Sequence, residues 1–536
     1  MTTVQAASAQ AVDTSCAAFR RLPADALQPD ALHRFVVGED AALRIPTPAE
    51  AAAELGDSFA TLVLLRGVFP RTAGQVLDAL DRATPEGDPL RAGFIFLLGE
   101  GSQIPMSAAT AAVQRRLRFV VARGVGNEGA DVLVSAFHPD EGDVELMAWD
   151  HVAGGFNFYQ SVDASTSWVF AGNSRHAISN PTQGKGPFES HLSGAFVMKE
   201  LRFPWLHWHS KAANILPSVL PADPPLIGHP WVSEKNPQGA DICEIAVAKP
   251  GILRWTRARF QRLLAGDGVI EDPRRIMTQV LGTPSVNLIT SNKESRVAVA
   301  GEPVVLPQTF FVDSEGLTEI VQLPAPPRFA VDGALYLQNL TTVGTRLEDG
   351  RGFRRPGDTH FAFAVPERAF EDQMVLRTAL EVGLLTRRLA ACLLMTDFPN
   401  PVFSPRRASL LAHVPDSAQV TNGTSDFSSR MGEAIAAAAP GTPEGSPERE
   451  FAERWSRGSD PDQGMASFGA ELSAYYAAVT ERLRTQGGYD DYVRLAESRR
   501  ARVATMPIFE SPLLFARTDV PPRVRAMRAD GTVVEV

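Results

Sequence analysis

Apolar and polar positions change their period several times along this 536-residue chain. Residues 1–45 carry little periodicity and predict an N-terminal arm or irregular cap. TPAEAAAELGDSF (47–59) reads as a helix, with Thr47 as N-cap, Pro48 at the first helical position and Glu50 three residues after the cap. RTAGQVLDALDRA (71–83) reads as a second helix, because Val76, Leu77 and Leu80 recur at helical spacing. From residue 91 the pattern shortens to β-rich runs. RAGFIFLLG, RLRFVVAR, DVLVSAF, DVELMAW, GFNFYQ and SWVFAG are separated by Gly, Asp, Asn and Ser, which predicts an antiparallel meander of five or six strands over 91–171.

Helical spacing then returns. SHLSGAFVMKEL (190–201) reads as a helix, and PWLHWHSKAANIL follows with Pro204 suited to a first turn and Pro217 ending it. LPSVLPADPPLIGHPW (216–231) is a loop or a traverse between lobes. Residues 250–345 mix a helix, GILRWTRARFQRLLAG, with the strand-like runs SVNLITS, QTFFVD and ALYLQNLTTV, and HFAFAV (360–365) alternates as a strand. AFEDQMVLRTALEVGLLTRRLAACLLM (369–395) is the longest helical pattern. AAAAPGTPEGSPERE (436–450) reads as a linker, and FGAELSAYYAAVTERLR with YDDYVRLAESRRARVA as a C-terminal helical hairpin before a short strand, GTVVEV.

The expected fold class is therefore α+β: an antiparallel β-meander followed by helical segments, a mixed second lobe and a C-terminal helical hairpin. The expected division is a helical cap (1–90), the meander with a His/Trp-rich helical segment (91–250), a mixed lobe (251–435), the linker (436–450) and the hairpin (451–536).

Composition narrows the function classes. Apolar residues make up 44% and charged residues 21%, which is globular usage. The formal net charge of −10 argues against a nucleic-acid partner, whose binding depends on a basic surface. The N-terminus lacks a basic region followed by an apolar core, and no apolar run reaches the roughly 18 residues that span a bilayer. LEVGLLTRRLAACLLM comes nearest, and Arg387 and Arg388 break it. A soluble cytoplasmic protein with no membrane partner is expected. Cys16, Cys243 and Cys392 are far apart and form no CxxC pair, so neither a disulfide framework nor a cysteine-based zinc site is expected.

Most catalytic motifs fail on context. GVGNEG (124–129) matches GxGxxG, but the strand-like DVLVSAF follows it, where a dinucleotide site needs a helix N-terminus. It reads as a β-hairpin loop. GNSRH (172–176) puts His176 where a nucleophile elbow requires Gly. In Trp149-Asp150-His151 the neighbouring Asp and His of a strand would face opposite sides, and a capping Asp with a surface His is the plain reading. RGFRRPGDTH (351–360) could bind an anion through its arginines, although its Gly and Pro suit a solvated hairpin tip.

The chemical signal is regional. His138, His151, His176, His191, His207, His209 and His229 are seven of the ten histidines, and six of the seven tryptophans lie within 149–255. Imidazole ligates metals and titrates near neutrality, while indole supplies rigid apolar walls. PWLHWHS (204–210) is the sharpest element. In a strand His207 and His209 would share a face and chelate one ion, but in the helix expected here they stand about 200° apart. One axial imidazole to a haem, or one joined by ligands from elsewhere, remains.

The expected site places His207, His209 and Glu200 in catalysis, His191, Trp205 and Trp208 against a cofactor, and His191, His207 and His209 on a metal. Glu200 beside Lys199 also reads as a solvent ion pair, and clustered His and Trp also occur in ordinary cores. The expected function is an iron- or haem-dependent oxidoreductase acting on a small apolar or aromatic molecule. A metal-free His-dependent hydrolase or transferase is the alternative, and a non-catalytic binding protein with a Trp-rich interface is the third reading.

Overall fold

The short β-rich runs along 91–173 produce the central sheet of the computed structural model, which describes residues 27–100, 116–161, 166–196, 226, 228–289, 298–348, 354–356, 365–458, 461–503, 505–506, 517–521 and 523–536. The meander strands are β2 (Gly93–Glu100), β3 (Arg116–Arg123), β4 (Val132–Ala136), β5 (Glu145–Asp150), β6 (Gly155–Ser161) and β7 (Trp168–Asn173). A short strand β1 (Leu32–Arg34) adds in parallel to β7, so the sheet has seven strands in the order β1-β7-β6-β5-β4-β3-β2. The N-terminal arm supplies β1, whose three residues are too few to show a period.

Period two sorts the side chains onto two apolar faces. On one face Phe119, Val121, Leu146, Tyr159, Trp168 and Phe170 pack against the helices α1 (Pro48–Glu54), α2 (Ser58–Leu62) and α3 (Ala73–Ala83). The run 47–59 thus yields α1 and then a break at Leu55, after which Asp57 starts α2. Asp57 is fully buried, caps Ala60 N at 2.9 Å and accepts a hydrogen bond from Asn157 Nδ2 at 2.8 Å, bolting the cap to β6. Trp168 is fully buried with its ring 4.9 Å from Phe59, and burial of one such side chain stabilises by roughly 1.5–3 kcal/mol.

On the other face Met147, Trp149, Phe156, Phe158, Val169 and Ala171 meet a layer built from later residues. That layer begins with the single turn α4 (Ser174–Ala177) and the 186–196 segment. After α5 (Pro230–Ser233), whose Trp231 packs on the cap side of the sheet, it continues through α6 (Ala240–Cys243) and a π-helical turn, Glu244–Ala248, into α7 (Lys249–Leu263). The predicted helix over 190–201 does not form in its described part. Residues 190–196 are turn and loop, because Gly194 sits at φ +78° and reverses the chain.

A second, largely helical core follows. Its strands are β8 (Val269–Ile270), β9 (Val286–Ile289), β10 (Pro303–Val305), β11 (Ala330–Asp332), β12 (Arg346–Glu348), β13 (Arg354–Pro356), β14 (Val365–Arg368), β15 (Ala418–Thr421), β16 (Thr424–Ser425), β17 (Arg525–Met527) and β18 (Val533–Glu535). They form small ladders, of which β9 against β14 bears on the interior chemistry. The helices are α8 (Arg274–Leu281), α9 (Gln308–Phe311), α10 (Gly333–Thr342), α11 (Phe370–Glu381), α12 (Arg387–Met395), α13 (Pro405–Ser409), α14 (Phe427–Ala438), α15 (Pro447–Arg457), α16 (Pro461–Arg482) and α17 (Gln486–Val503).

The α+β class and the C-terminal helical pair are as expected. Three element readings change. QTFFVD is a one-turn helix followed by an extended Val312, and its two phenylalanines are fully buried. ALYLQNLTTV is α10: Asp332 caps Ala334 N at 2.8 Å, and Tyr336, Asn339 and Leu340 recur on one buried face. The single helix over 369–395 is two. Gly383 at φ +77° ends α11, and Thr386 caps α12. Of 436–450, only residues 442–446 lie between the helical turns.

Candidate functional site

His191 stands beside the aromatic face of β6. Its ring centroid is 5.2 Å from that of Phe158, which also meets Phe188 edge-on at 5.3 Å. Trp149 and Phe156 continue the wall at 5.0 Å. The imidazole is set by its own turn. The His191 N–H donates to Pro187 O at 3.1 Å, the Gly194 N–H donates to His191 O at 2.8 Å, and His191 Nδ1 lies 2.8 Å from Ala195 O. A carbonyl oxygen can only accept, so Nδ1 carries a proton in this contact.

The turn is fastened from both sides. Trp255 on α7 donates its indole N–H to Ser193 O at 2.8 Å. Ser174 on α4 donates its hydroxyl to Gly194 O at 2.6 Å and accepts from Phe156 N at 2.8 Å. Gly194 is required there, since a Cβ would lie 2.5 Å from Ser174 O. Its own turn, α4, α7 and β6 thus hold one imidazole against an aromatic wall.

The remaining predicted residues divide. Glu200, Trp205, His207, Trp208 and His209 lie outside the described residues. The described histidines do not converge on one centre. His138 and His229 pair edge-to-face at 5.3 Å, and His229 also meets Trp231 on the helical-cap side of the sheet. His151 is 59% exposed, and Asp150 caps Val152 N and Ala153 N, as the plain reading of that tripeptide expects. His176 accepts Asn173 N at 3.0 Å and faces Glu39 at 3.2 Å, and burial pushes its pKa down. Trp149 and Trp255 lie on the His191 face, and Trp168 and Trp231 on the opposite one. GVGNEG closes the β3–β4 hairpin through paired hydrogen bonds between Gly126 and Gly129. Among the described residues no group of three His, Cys, Asp or Glu is placed to hold a metal ion.

A buried polar network lies where α7 meets the second lobe, and nothing in the sequence pattern marks it. Arg259 Nη1 donates to Gln279 Oε1 at 2.5 Å, and Gln279 Nε2 donates to Asp372 Oδ1 at 3.0 Å. Asp372 is fully buried, and burial followed by the neighbouring Glu371 carboxylate pushes its pKa up to about 8. Burial likewise brings Arg259 down to about 10. Arg368 pairs with Asp313 at 3.2 Å close by. Charged residues in a sequence read as solvated by default, which is why these were passed over.

No known protein family, curated protein or solved structure matches the chain. No helix among the described residues is long and apolar enough to cross a membrane.

Proposed function

We propose that the chain is an iron- or haem-dependent oxidoreductase in which His191 supplies an imidazole ligand and the aromatic face of β6 bounds a small apolar or aromatic substrate. One observation carries the reading: Nδ1 of His191 is committed to Ala195 O at 2.8 Å. Histidines that ligate metals commonly donate their other ring N–H to a carbonyl or carboxylate, which fixes ring orientation and raises ligand basicity. Residue chemistry fits iron, for which imidazole is a usual donor. The partners proposed for His191 are His207 or His209, with Trp205 and Trp208 extending the wall and Glu200 as a proton carrier. An iron with an open position would supply activation of oxygen or peroxide, while the protein orients substrate and excludes water. In the same reading the protein works as a soluble cytoplasmic enzyme.

The same imidazole could serve a metal-free enzyme as a general base, so the test must separate the two. The purified protein is assayed for iron by elemental analysis and for haem by its visible spectrum, alongside His191→Ala. Stoichiometric iron that is lost in the variant supports the proposal. Iron-free, colourless protein that turns over a substrate only when His191 is present replaces it with the hydrolase or transferase reading.

A further inference from the structure

Helix α7 touches two places. Trp255 donates to Ser193 O and so fastens the His191 turn. Arg259, one helical turn further on, donates to Gln279, which donates to Asp372. Residues four apart lie on nearly the same side of a helix, so displacement at Arg259 is transmitted to Trp255 along a rigid rod. We infer that α7 couples the proton on Asp372 to the setting of the His191 turn, so that proton loss there shifts the turn.

The hydrogen-bond order supplies the link. A guanidinium can only donate, so Arg259 fixes the Gln279 amide with its oxygen toward Arg259 and its nitrogen toward Asp372. Asp372 is fully buried, which disfavours its charged form, and this outweighs the hydrogen bonds from Gln279 and the Ser285 backbone that favour it. The charged and titratable groups around it are Glu371 and Arg368 on its own segment, the latter paired with Asp313, Arg259 from α7, and Arg275 from α8, which acts on Arg259. When Asp372 ionises, its new charge repels Glu371 and strengthens its pull on the Gln279 amide and, through it, on Arg259. The pull is applied to α7, and Trp255 moves with it. The coupling stands on these contacts alone. Its meaning as alkaline control of a reactive centre rests on the proposed role of His191.

The test uses the full chain labelled with 5-fluorotryptophan, and the Trp255 signal is identified by its loss in Trp255→Phe. Its fluorine resonance is followed from pH 6.5 to 9.5 in the wild type and in Asp372→Asn, which keeps the size and the neutrality of the protonated acid. The wild type is expected to show a single-proton step centred near pH 8, absent from the variant. A pH-independent wild-type signal, or a step that persists in Asp372→Asn, overturns the inference. Neither readout depends on bound iron or on turnover, so failure of the coupling is distinguishable from failure of the oxidoreductase reading.

Discussion

At the scale of single residues, burial decides the chemistry. Asp372 holds its proton up to about pH 8, against 3.8 for an ordinary aspartate. In the unfolded chain that carboxyl releases its proton first. Between those two values the folded state therefore binds the extra proton, and stability falls as pH rises, by at most about 1.4 kcal/mol per pH unit. Urea denaturation of the wild type and Asp372→Asn at pH 5 to 8 is expected to show the variant gaining relative stability toward pH 8. Parallel curves would contradict that assignment. Gly194 makes a second prediction. At φ +78° and with a Cβ 2.5 Å from Ser174 O, Gly194→Ala should destabilise by about 1–3 kcal/mol and displace the His191 ring. A fully stable variant whose His191 resonances are unchanged would show that the turn does not need glycine. Neither residue announced itself in the sequence. An aspartate in the first turn of a helix reads as a dipole-stabilising surface group, and the glycine in SHLSGAF was submerged in an otherwise helical spacing.

At the scale of elements, legibility followed the length of the period. The meander was readable nearly strand by strand, because each of its strands is a β-rich run of five residues or more between turn-forming residues. β1 was not, since LHR offers three residues and its strand character comes from pairing with Trp168, Val169 and Phe170. ALYLQNLTTV went wrong for a different reason. Its β-prone composition was outweighed by the Asp332 cap and by a buried stripe at helical spacing. The division of 369–395 rests on Gly383, whose Cβ would come within 1.7 Å of Gly423 O. Gly383→Ala is expected to cost at least about 2 kcal/mol, measured as a fall in the urea midpoint, because neither the backbone conformation nor the packing tolerates a side chain. A loss within about 0.5 kcal/mol would mean that the α11–α12 corner can rearrange.

At the scale of the molecule, two cores share α7. Its Trp255 belongs to the core beneath the sheet, and its Phe260 to the helical core. The regional concentration of His and Trp was visible in the sequence, but its meaning was not. The sheet places Trp168 and Trp231 on the face away from His191, and leaves His151 at the surface. Clustering in sequence becomes clustering in space only where strand parity agrees, and here it agrees for Trp149 but not for Trp168. What unites the account is the claim that His191 presents Nε2 to an iron centre. The most direct measurement is an anomalous difference map from crystals of the purified protein, collected at the iron absorption edge. The account predicts a peak within coordination distance of His191 Nε2. A map with no iron peak, or with iron bound elsewhere on the chain, would contradict it.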